Sequence, residues 1–161
     1  MLERMRSRAD EPPVRLRQLL LALLALGLVG VSVELAMLEH YEDAPMFVPF
    51  AALAVGLAAV ALHATAGTAA TVRVLQAAMA ALIVSGLAGI ALHYQGSLEF
   101  QIDMDPTMSR WDLFWKVLHM KAPPTLAPGI LVQLGLLGLA TTYRHPAVDR
   151  RARSLPTGEV T

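Results

Sequence analysis

Four stretches of this chain stay apolar over about the twenty residues a helix needs to cross a hydrocarbon core: 16–38, 46–66, 72–92 and 124–143. Charge inside them is confined to Arg17, Glu34 and Arg73. The last stretch holds Pro128, Gly129 and Gln133. If its helix starts near Ala127, the proline falls in the first turn, where a missing N–H costs nothing. The pattern predicts an all-α membrane protein, a bundle of four transmembrane helices.

The connection 93–123 is too long for a plain turn and is itself patterned. Leu98, Phe100, Ile102 and Met104 alternate with Glu99, Gln101, Asp103 and Asp105, which predicts an extended strand-like segment ended by Pro106. Ser109 and Asp112 have capping-box spacing, and Trp111, Phe114, Trp115 and Leu118 follow at helical intervals. This predicts a short amphipathic helix in the membrane interface. Leu98, Phe100, Ile102, Trp111 and Trp115 are the candidate partner-docking residues. The same residues would also serve as a lid over the bundle.

Composition agrees with a bilayer environment: 55% of residues are hydrophobic, 16% are charged, and the mean hydropathy is +0.51. Net charge is zero, yet the 13 basic residues are unevenly placed. They collect before the first apolar stretch and after the last, with Arg73 beside the second turn and only Arg110, Lys116 and Lys121 in the long connection. By the positive-inside rule both termini are cytoplasmic. The domain reading is a basic segment 1–15, a transmembrane domain 16–143 with outer loop 93–123, and a basic tail 144–161. The stretch 16–38 ends in Glu39 and His40 without a small-residue cleavage pattern, so it reads as a span, not a signal peptide. Arginine outnumbers lysine and Ala and Leu dominate, which points to a bacterial inner membrane. Expected partners are the lipid bilayer and a second membrane protein or further copies of the chain, with no nucleic acid. Without cysteine, disulfide exchange and thiolate ligation are excluded.

Small residues mark faces where membrane helices approach closely. Gly27 and Gly30 share a face with Glu34; Ala52, Gly56 and Ala59 lead to His63; and Ala77, Ala81, Ser85 and Gly89 lead by fours to His93. Glu34, His63 and His93 are therefore the intramembrane functional candidates, expected to point into the bundle. A carboxylate at membrane depth costs roughly 2.5 to 3.5 kcal/mol on insertion scales. Glu34 is thus either hydrogen-bonded to a neighbouring helix or used, for instance to bind a proton or cation in a small transporter component.

His40 and His93 lie at outer helix ends, and His63 and His145 at inner ends. Two histidines at matched depth on different helices are what bis-imidazole haem ligation needs. In this the chain is similar to diheme cytochromes of the b561 type, which implies haem b held by His40 and His93. Soft thioethers with imidazoles also suit copper(I), with His40, Met46, Met104 and His119 as the candidate ligands. The segments Leu38 to Asp43 and Thr142 to Pro146 resemble parts of small uncharacterised bacterial four-helix integral membrane proteins, a likeness that implies the same topology and no assigned activity. No hydrolytic triad, phosphate loop, dinucleotide fingerprint or zinc-helix motif occurs. The leading expectation is a non-enzymatic accessory subunit of a larger inner-membrane complex that requires no cofactor. A haem or metal protein and a small cation transporter component are the alternatives.

Overall fold

The computed structural model describes residues 14–120 and 126–148, and among them every regular element is helical. The arginine-rich start of the chain and the tail after Val148 lie outside the described residues. Helix α1 spans Val14–Met37, and a 3-10 turn, Ala44–Met46, leads into α2, Phe47–Ala66. Helix α3 spans Ala69–Met104, α4 Arg110–Leu118 and α5 Leu126–Thr142. Three of these, α1, α2 with its 3-10 lead-in, and α3, are long and apolar enough to cross a membrane. Helix α5 is shorter, at 17 residues, with Pro128 in its first turn.

Local chemistry sets the helix ends. Gly67 takes a left-handed φ of 57° just past α2 and donates its N–H to the His63 carbonyl at 2.9 Å. Most side chains would be strained there. Thr68 then caps α3 reciprocally. Thr71 N–H reaches Thr68 Oγ1 at 3.3 Å, and Thr68 N–H reaches Thr71 Oγ1 at 3.0 Å. The tight link forces α2 and α3 to lie side by side.

Among the described residues the four long helices close into a ring in the order α1, α2, α3, α5, with α5 returning to α1 and no close backbone approach across either diagonal. Leu24 and Leu28 of α1, Leu53 of α2, and Leu75, Met79 and Leu82 of α3 are fully buried at its centre, joined by Leu131 and Leu134 of α5. In lipid such a core gains nothing from escaping water, so its cohesion is dispersion between well-packed atoms. The most extensive contact is between α3 and α5. Glycine permits it: a Cβ on Gly86 would stand 2.7 Å from the Pro128 carbonyl oxygen, and one on Gly135 would stand 2.8 Å from that of Met79.

Two expectations are corrected here. Residues 98–104 are not a strand but the last turns of α3, which runs unbroken for 36 residues. Extending an existing helix adds a hydrogen bond for each residue fixed, whereas a lone strand has no partner edge, and seven alternating residues without Gly or Pro do not stop propagation. The alternation does not match a buried face either, since Gln101 is buried and Phe100, Ile102 and Met104 are exposed. The second correction concerns the inner face of α3, which is Leu75, Ala78, Met79, Leu82 and Gly86; Ala77, Ala81 and His93 are exposed. Each four-residue step overshoots a full turn by about 40°, so a run by fours from Ala77 to His93 winds about 160° around the helix. That run is a spiral and not a face.

Helix α4 forms over the residues whose spacing predicts it. Ser109 Oγ accepts the Asp112 N–H at 3.2 Å as its N-cap. Its buried side is Leu113 and Val117, packed on the end of α3, which leaves Trp111, Phe114 and Trp115 turned outward in mutual ring contact. Between α3 and α4, the Thr107 hydroxyl and N–H donate to Asp105 Oδ1 at 2.7 and 3.1 Å. These bonds hold the Asp105 carboxyl below its ordinary pKa.

Candidate functional site

At the end of α1, Glu39 N–H donates to Ala36 O at 3.1 Å and His40 N–H to Leu35 O at 3.0 Å. This is a Schellman closure, which places Glu39 in the left-handed position that glycine usually fills, at φ 53°. The sharp reversal returns His40 over the bundle end. Its ring lies 6.1 Å from that of His93, centroid to centroid, with planes 26° apart. His93 is on α3, diagonally opposite α1 in the ring.

The other end repeats the device. Arg144, at φ 45°, follows α5 in the left-handed region, and the next residue, His145, meets His63 of α2 at 5.1 Å with planes 70° apart. Helices α2 and α5 are the other diagonal. Each end of the bundle is thus crossed by a histidine pair, and in each pair the crossing histidine follows a non-glycine residue held in left-handed geometry. Such strain persists where the surrounding structure compensates it, and it clusters at functional positions. Glu39→Gly is expected to raise thermal stability by about 0.5–1 kcal/mol, read as the unfolding midpoint in detergent. A fall in that midpoint would mean that the glutamate side chain, not the turn, holds His40 in place.

The two ends differ in charge. Beside His40 stand Glu39, Glu42 and Asp43, all exposed. At the opposite end, Arg17 Nη2 donates to the Tyr143 and Arg144 carbonyl oxygens at 3.1 and 2.7 Å, capping the C-terminus of α5. Arg17 Nε is enclosed and has no acceptor among the described residues. A cavity of about 200 Å³ opens here, lined among others by Arg17, Gln18, His63, Thr141 and His145. His63 Nδ1 lies 3.3 Å from Thr71 Oγ1, whose own hydrogen is committed to the Thr68 carbonyl. The contact ties the His63 ring to the cap of α3, with Thr71 Oγ1 also accepting from the Thr68 N–H. The spacing of apolar residues carries no sign of Arg17 as a cap, of Thr71 as a partner for His63, or of the 3.2 Å bond from Gln76 Nε2 to Thr142 Oγ1.

An imidazole nitrogen sits about 2.0–2.1 Å from a bound ion, so two rings on one ion have centroids about 5 Å apart at a tetrahedral angle and about 6.4 Å apart when opposed. Both pairs fall in that interval. Among the described residues no group of three His, Asp or Glu converges on one point, so each pair offers an ion two imidazoles and no third ligand from these residues. The four candidate copper ligands do not converge. Met46 lies in the 3-10 turn before α2, and Met104 stands about 16 Å beyond the level of His93 along α3. His119 Nδ1 donates to the Trp115 carbonyl at 2.8 Å, and its ring lies against the aromatic cluster of α4.

Glu34 does not point inward. It is exposed on the outside of α1, about 100° round from the buried Leu35, and Gly30, one turn below, has nothing within 4 Å of where a Cβ would stand. Gly27, by contrast, packs against Leu134 of α5. Of the expected docking residues, Phe100, Ile102, Trp111 and Trp115 are exposed and Leu98 is half-buried. No protein-family model, curated protein or solved structure matches this chain.

Proposed function

We propose that the protein is a non-enzymatic integral membrane subunit, or accessory protein, of a larger complex in a bacterial inner membrane. It crosses four times with both termini in the cytoplasm, α5 making the fourth and shortest crossing. The observation that carries the reading is Glu34. It lies on an apolar outer surface, flanked by exposed Val33 and Met37, and has no hydrogen-bond or ion-pair partner among the described residues. Lipid cannot satisfy a carboxylate, whereas a neighbouring transmembrane helix with a hydrogen-bond donor or a cation can. Gly30 beside it leaves room for close backbone approach. The outward aromatic face of α4 supports the same reading at the bundle end. The test is extraction from native membranes in mild detergent, followed by mass spectrometry of what copurifies. A stoichiometric membrane partner is expected, and recovery of the chain alone would end this reading.

A second reading rests on the 6.1 Å approach of His40 and His93 beside an acidic loop. Here the two imidazoles bind one metal centre, haem b or copper(I), and the acidic residues raise the local concentration of cations. The protein purified from cells should then carry a metal or a visible absorption band, lost in His93→Ala and kept in His63→Ala. Metal-free, colourless protein from metal- and haem-replete cells would eliminate it.

A further inference from the structure

We propose that the cavity between the start of α1 and the end of α2 binds the phosphate of an anionic phospholipid headgroup. This surface is distinct from the outer face of Glu34 and the His40–His93 pair, so the proposal stands or falls separately from both functional readings. Three observations meet there. The first is a fixed positive charge: two carbonyl contacts lock the Arg17 guanidinium in place, and its Nε–H still has no acceptor among the described residues. A buried donor without an acceptor marks a missing partner, and a guanidinium matches phosphate oxygens in both charge and geometry. The second is that none of the described residues lining the cavity is acidic. Gln18 adds amide donors.

The third observation is the character and depth of the wall. Val14, Leu21 and Ala64 give the cavity an apolar side next to its polar one, as an acyl chain joined to a headgroup requires. Val14 begins α1 and Ala64 lies in the last turn of α2, so the cavity sits at one end of two candidate spans, where headgroups lie. Its volume, about 200 Å³, is below the range of roughly 300–1,000 Å³ that holds drug-sized ligands, and suits a phosphate group with its first substituents. Basic pockets between transmembrane helices at this depth are recurrent anionic headgroup sites. A free phosphate would use the same donors without the apolar wall.

The experiment uses the full chain, delipidated in neutral detergent and titrated with phosphatidylglycerol, phosphatidylcholine or inorganic phosphate, with bound lipid counted by native mass spectrometry. Phosphatidylglycerol is expected to bind at least about tenfold more tightly than phosphatidylcholine. Gln18→Glu, at an exposed position that leaves the Arg17 cap intact, is expected to erase that preference by placing a like charge at the mouth. Arg17→Gln should do the same. If it fails to fold by circular dichroism, Gln18→Glu carries the test. Equal retention of the two lipids, or an unchanged preference in Gln18→Glu, would overturn the proposal. Displacement of phosphatidylglycerol by millimolar inorganic phosphate would show a free-anion site and overturn the lipid assignment.

Discussion

Gly135→Val is expected to unfold the bundle or to lower its stability by at least about 3 kcal/mol. A Cβ at this position would stand 2.8 Å from the Met79 carbonyl oxygen and 2.5 Å from Ile83 Cγ1. One of those obstacles is backbone in the middle of α3, so relief requires α3 and α5 to separate. Their contact is the most extensive in the molecule, and a separation there also exposes Met79 and Leu82, both fully buried. Gly30→Ala is the matched control. Nothing lies within 4 Å of the new methyl group, and removing a glycine from a helix interior stabilises it by roughly 0.5–1 kcal/mol. Unfolding by denaturant in detergent, followed by circular dichroism, should rank Gly30→Ala above wild type and Gly135→Val far below. If both variants unfolded alike, α3 and α5 would not approach as described.

Glu34→Leu is expected to act in opposite directions on the isolated chain and on its assembly. On insertion scales, exchanging a carboxylate for leucine near the middle of a span gains roughly 3 kcal/mol. Glu34 lies one turn from the end of α1, so part of that gain applies, and the isolated protein should be at least as stable as wild type. The proposed complex, by contrast, would lose a desolvated charged hydrogen bond. Truncating one side of such a pair costs about 2–5 kcal/mol, enough to remove a stoichiometric partner in copurification. Wild-type recovery of the partner with Glu34→Leu would place the docking surface elsewhere.

How much of this could be read from the residues varies with the kind of signal. The N-cap of α4 was legible because Ser109 and Asp112 act across three residues with no help from the rest of the fold. The first turn of α5 was legible for the same reason, since Pro128 constrains its own backbone. Matching histidines by depth pairs the same residues whose rings approach in the structure, because rise per residue fixes height along a bundle. The ring order that puts the two pairs on diagonals depends on contacts far apart in sequence, and no spacing encodes it. Residues 98–104 misled because alternation over so short a run also fits a helix whose faces are mixed. Glu39 and Arg144 are residues that disfavour left-handed backbone, so their types conceal the turns they make. The inward expectation for Glu34 fails because the small residues of α1 do not share one environment: Gly27 packs on Leu134 of α5, whereas Gly30 and Glu34 lie on the outside.

The length of α3 has a mechanical consequence. Gly86, where a Cβ would meet the Pro128 carbonyl oxygen of α5, falls at the midpoint of its 36 residues, with arms of about 27 Å on either side. The arm towards Thr71 is held along α5 by Gly135 against Met79 and by the bond from Gln76 to Thr142. A bend in α3 beyond Gly89 would therefore displace the Gln101 turn and the aromatic face of α4 far more than the Thr71 turn and its hydrogen bond to His63.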